Sequence, residues 1–148
     1  MSRHVLVPVD GSPLSERALR HALQEFPDAD VTAYHVVDLF EPEYGTRDDF
    51  DSVYEPMLGS EEWHRFVTEE TDRLFERIGE IAADDDRSVT TDSDIGQPAR
   101  LIVEYATEED VDHVVVGSHG RLDADRPLFG SVAETVARRS PVPVTVLR

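Results

Sequence analysis

Among the 148 residues there is no cysteine, and every one of the 14 basic residues is arginine; lysine is absent. Without cysteine there are no disulfides, no thiol catalysis and no thiolate metal site. No basic stripe stands against the 32 acidic residues, so nucleic-acid binding is not expected. No apolar run approaches the ~20 residues that a membrane span needs. Met1-Ser2-Arg3-His4-Val5 leads straight into a strand pattern, so no signal peptide is expected and the cytoplasm is the expected location. The 6 histidines show no H-E-x-x-H spacing, which argues against zinc. No G-x-S-x-G elbow surrounds Ser118 or Ser131, so neither is expected to act as a nucleophile. Asp84-Asp85-Asp86 lacks an EF-hand frame and reads as a solvated turn. There is no internal repeat and no linker, and the length suits one domain spanning residues 1–148.

What is present is acid. The net charge is -18, with acids spread along the chain rather than gathered in a tail. Such an acidic, lysine-free surface resembles proteins of extreme halophiles, where molar salt shortens repulsion to a few ångströms. Disorder is the other reading of such a charge, but regular apolar periodicity opposes it.

Apolar residues and turn signals alternate in a strand–helix rhythm. His4 to Val9 is a nearly continuous apolar run closed by Asp10-Gly11-Ser12-Pro13, a buried strand entering a turn. Ser12 is a good helix cap and Pro13 a good first helical residue. Leu19, Ala22, Leu23 and Phe26 then share one helical face. Val31 to Val37 is a second strand. Residues 38 to 60 are acidic and punctuated by proline and glycine, which predicts a long loop with at most a short helical piece. A long helix from Ser60-Glu61-Glu62 to about Ala83 carries Val67, Thr71, Leu74, Ile78 and Ile81 inward. Ser88 to Asp94 reads as a polar edge strand. The third helix opens at Gly96-Gln97-Pro98 and turns Ala99, Ile102, Val103 and Ala106 inward; Asp112 to Val116 is the fourth strand. The last helix faces the sheet with Val132, Ala133, Val136 and Ala137, and Val142 to Leu147 is a fifth strand. The rhythm implies an α/β fold with one parallel sheet and four main helices.

After the fourth strand the glycines fall as Gly117-x2-Gly120-x9-Gly130-Ser131. Gly117 and Gly120 can take positive φ and let backbone approach a ligand. Gly130-Ser131 opens a helix whose first amides lack partners, a ready anion site. The plain alternative is a turn and a capped helix, since Ser131-Val132-Ala133-Glu134 is a capping box. The pattern is neither the Walker loop nor G-x-G-x-x-G.

This loop resembles the nucleotide loop of ATP-binding members of the universal stress protein family. Val7-Pro8-Val9-Asp10-Gly11-Ser12, His35-Val36-Val37, Gly96-x-Pro98-x3-Ile102-x3-Ala106 and Pro143-Val144-Thr145-Val146 extend the resemblance over essentially the whole chain. It implies a single doubly wound, Rossmann-like five-stranded sheet in the order 3-2-1-4-5. It also implies that Asp10 holds the adenosine part of ATP and that Pro8, Val9 and Val36 lie against the base. Val116, Gly117 and Gly120 would follow ribose and phosphates, and Gly130, Ser131 and Val132 would hold the phosphates. The excursion from Arg121 to Pro127 is more polar than the family often has. Its Asp123 and Asp125 could repel phosphates or hold a magnesium ion through water, and Arg121 and Arg126 add positive charge. The resemblance further implies a homodimer through strand 142–147, an apolar edge without lysine. The expected role is a nucleotide-binding stress-response protein, not an enzyme, with slow ATP hydrolysis at most. The alternative is a nucleotide-independent dimerisation module of the same fold.

Overall fold

Val5, Leu6 and Val7 are all completely buried. Successive strand residues point to opposite faces, so this requires a layer on each side of the sheet. In the computed structural model, which describes residues 3–38, 60–118 and 131–148, these layers are helices. The order is β1 (His4–Pro8), α1 (Pro13–Glu25), β2 (Asp30–Asp38), α2 (Glu61–Asp84), β3 (Thr90–Gly96), α3 (Pro98–Glu108), β4 (His113–Gly117), α4 (Ser131–Arg139) and β5 (Val144–Leu147). The sheet runs β3-β2-β1-β4-β5, and all four pairings are parallel. The expected α/β class, strand order and four helices are all observed.

Strand alternation splits the interior into two cores. Val5, Val7, Val9 and Val115 join α1 and α2 residues such as Leu19, Leu23, Ile78 and Ile81 on one face. Leu6, Val114 and Val116 join Ile102 and Ala106 of α3 and Ala133 and Val136 of α4 on the other. Each fully buried Leu, Ile or Val contributes about 1.5–3 kcal/mol of hydrophobic stabilisation. Ser12 caps α1 by accepting from the Ser15 amide at 3.1 Å, and Ser60 caps α2 by accepting from the Trp63 amide at 3.0 Å. Among the described residues no helix is long and apolar enough to cross a membrane.

Some expectations move. β1 ends at Pro8, β3 runs from Thr90 to Gly96, and β5 starts at Val144 rather than Val142. Ala137 is exposed, not turned to the sheet, because a helix this short buries only Ala133 and Val136 deeply. Glu134 accepts from Arg138 at 3.0 Å, one turn further on. The predicted loop over residues 38 to 60 falls outside the described residues from 39 to 59. Gly120, Gly130 and the excursion between them also lie outside the described residues.

Candidate functional site

Strand order reverses at β1. The chain moves outward through β2 to β3 on one side, and β4 and β5 occupy the other. In an open parallel sheet the crevice at the carboxyl ends of such neighbouring strands is the natural ligand position. Val5 pairs with His113 and Leu6 with Val114. Carried forward, that register sets Val9 beside Gly117 and Asp10 beside Ser118. On the other flank Pro8 pairs with Tyr34, so Val36 comes level with Asp10. The expected residues Pro8, Val9, Asp10, Val36, Val116 and Gly117 thus gather on three adjacent strand ends.

Their side chains divide. Val9 and Val116 are 4% and 5% exposed and belong to opposite cores, so they offer a ligand only backbone. Pro8 and Val36 are half-buried at the rim. Asp10 is also half-buried, and its Oδ1 accepts from the Ser12 amide at 2.9 Å. No hydrogen bond among the described residues engages Oδ2. The Asp10 amide donates to Ser15 Oγ at 3.3 Å, and that hydroxyl donates to the Ser12 carbonyl at 3.1 Å. Gly11, at φ +85°, turns the chain here in a conformation that a Cβ disfavours. The turn is therefore wired to the first turn of α1.

Gly117 is the last residue of β4, pairs with Leu147, and is not among the glycines with positive φ. Its smallness serves another purpose. A Cβ on Gly117 would stand 2.9 Å from Leu14 Cγ and 3.3 Å from the Leu14 carbonyl oxygen, closer than ordinary contact. Ser118 follows; its amide donates to the Leu147 carbonyl at 2.8 Å. Its hydroxyl is buried and has no hydrogen-bond partner, alone in this among the described side-chain atoms. Val132 is half-buried and packs on the α3–α4 core, and Ser131 is the first residue of α4.

Two residues escaped the sequence reading. His35, 5% exposed, bonds through Nδ1 to the Val9 carbonyl at 2.9 Å. A carbonyl only accepts, so Nδ1 carries the proton and one lone pair of Val9 is taken. A histidine inside an apolar strand was the available signal. Tyr34, beneath the β2 rim, donates its phenol to Asp94 at 2.7 Å; burial first, then that carboxylate, raises the phenol pKa well above its usual value. Among the described residues no group of three or more histidines, cysteines or carboxylates is arranged to hold a metal.

A doubly wound parallel sheet with a hydrogen-bonded acidic turn at its switch point defines the class, an α/β protein of Rossmann-like architecture. The chain belongs to the universal stress protein family, whose model matches residues 1–148. It is 33% identical to universal stress protein MJ0531 of Methanocaldococcus jannaschii over 99% of this chain and 82% of that one. Protein MJ0577 of the same organism is 29% identical over 100% of this chain and 96% of its own length. The solved structure of MJ0577 superposes with a TM-score of 0.77, covering 99% of this chain and 96% of that one. A family protein of Arabidopsis thaliana, solved with AMP bound, matches at 18% identity and a TM-score of 0.63, over 98% of this chain and 90% of that one.

Proposed function

We propose that this protein is a nucleotide-binding stress-response protein that holds ATP between the Asp10 turn and the loop from Gly117 to Ser131. The observation that carries the reading is the juxtaposition, at one switch point, of an Asp10 carboxylate oxygen and a Ser118 hydroxyl that have no hydrogen-bond partner among the described residues. A buried polar atom without a partner costs about 1–3 kcal/mol, which an incoming ligand relieves. The groups present suit a nucleotide. Asp10 Oδ2 can accept from ribose hydroxyls or a base amino group. Pro8 and Val36 give a half-exposed apolar rim for a base, and the first amides of α4 suit phosphate oxygens. At 18% identity the AMP-bound Arabidopsis protein speaks for the fold alone, so the reading rests on this chain's own residues. Magnesium, if it accompanies ATP, would be held through water by Asp123 and Asp125, unless these two carboxylates repel the phosphates instead. The role is regulatory and cytoplasmic, with slow turnover at most; among the described residues no pair of groups serves as a dedicated base and acceptor.

The test is direct. The protein is purified in molar KCl, denatured, and its supernatant analysed by mass spectrometry for ATP, AMP or neither. A stoichiometric adenine nucleotide supports the reading. An empty protein that also fails to bind added ATP in calorimetry sinks it, and leaves the nucleotide-independent dimerisation module. One observation favours that second reading in its own right: Val146 on the outer strand β5 is a large apolar residue left 39% exposed.

A further inference from the structure

We propose that Leu14 is a positioning residue for the nucleotide, acting as a strut that fixes the spacing between the Asp10 turn and the end of β4. The inference rests on the nucleotide reading above and extends it to a residue of α1 that packs on Gly117.

The geometry forms a continuous chain. Asp10 is tied to α1 twice, through Oδ1 to the Ser12 amide and through its own amide to Ser15 Oγ. Between those anchors, in the first turn of α1, stands Leu14. It rests on Gly117 so closely that a single added carbon would meet Leu14 Cγ at 2.9 Å and its carbonyl at 3.3 Å. Gly117 in turn is fixed in the sheet by its pairing with Leu147. The carboxylate on one wall of the crevice and the start of the glycine loop on the other are therefore referred to one contact. Glycine at 117 is explained by this helix seat, not by a turn conformation, since β4 is extended there. An added Cβ must push α1 off β4 by several tenths of an ångström, and the Asp10 turn moves with it. Hydrogen bonds to a charged acceptor weaken quickly with misalignment.

Four proteins test this: wild type, Gly117→Ala, Leu14→Ala and the double variant. ATP affinity is read by calorimetry and stability by thermal melt, both in molar KCl. Gly117→Ala should remain folded and lose about tenfold in ATP affinity, the loss of one well-aligned charged hydrogen bond. The double variant, with the Leu14 side chain removed, should recover most of that loss although it is the less stable protein. Ile78→Val, a core change on α2 outside this contact, should lower the melting point and leave affinity unchanged. That separates positioning from general destabilisation. Wild-type affinity in a folded Gly117→Ala, or a double variant no tighter than Gly117→Ala, overturns the strut while the nucleotide reading stands. A wild type that binds no ATP overturns both.

Discussion

Among the described residues, the Asp10 side chain is held through one carboxylate oxygen. With Oδ1 spent on the Ser12 amide, Oδ2 is the atom that a ligand can use. Asp10→Ala is therefore expected to weaken ATP by about one to two decades, the usual cost of a lost charged acceptor. Calorimetry on the folded variant checks it, and an unchanged affinity would confine Asp10 to the turn. His113 sits at the opposite end of the sheet, donating to or accepting from Thr145 Oγ1 at 2.8 Å and lying 5.0 Å from the Phe26 ring. Burial first, then Arg3 and His21, lowers its pKa below the ordinary 6.5. The native state thus holds it neutral while the unfolded chain takes the proton more readily. Stability is unaffected by this group above pH ~6.5 and declines as pH falls from there through the lowered native value. Urea midpoints between pH 7.5 and 5 should fall less in His113→Gln than in wild type; identical slopes would refute the assignment. Arg87 was unreadable in the sequence for a different reason. It donates to the carbonyls of Leu23, Phe26 and Ala29 at 2.7, 3.4 and 2.9 Å, closing the end of α1 from 58 or more residues away. No local pattern announces a partner that distant.

The two outer strands present different edges. β3 is exposed along nearly its whole length and carries Asp92 and Asp94, which accept from Tyr105 at 3.0 Å and Tyr34 at 2.7 Å. The tyrosine rings lie 4.3 Å apart at a tilt of 36°, so the edge charges are anchored by a packed aromatic pair. β5 has no charge between Val144 and Leu147 and leaves Val146 39% exposed. Unprotected apolar edges invite pairing, and a two-fold copy is the commonest partner. Val144→Asp or Val146→Asp is expected to turn a homodimer into a folded monomer, read by light scattering in molar KCl. A wild-type monomer, or dimers in both variants, would place any interface elsewhere. The elements themselves were legible because their cues are local: Ser12 and Ser60 cap the helices where their sequence says they should. Ala137 was misread because periodicity cannot tell how far a helix stays on the sheet. Gly117 was legible as special, but its φ is not positive, and its closeness to Leu14 arises only in three dimensions.

At the scale of the molecule, -18 charges on 148 residues repel one another. The ion pairs present do little to offset this. Those of Arg138 with Glu134 and Arg100 with Glu104 are exposed one-turn pairs, worth about 0.3–0.5 kcal/mol each. The fork of Arg77 on Glu16, with contacts of 3.1 Å from Nε and Nη2, ties α2 to α1. Screening should therefore matter to the whole fold: melting temperature is expected to rise from low salt to molar KCl. A flat or falling midpoint would remove the halophilic reading. The strand order was legible through the family resemblance, whereas the contacts made at the strand ends by Asp10 and Gly117 were not.

The two cores also give β4 a parity. Val114 and Val116 answer to one set of helices, Val115 and Gly117 to the other. Deleting a single codon between His113 and Gly117 would send every side chain after it to the wrong face. A branched or polar residue would then stand against Leu14, or a gap would open beneath α3. One codon lost from the exposed Pro27-Asp28 turn changes no such phase. In a deletion library, then, β4 should behave as a reading frame of its own, tolerant of conservative exchange and closed to any change in length.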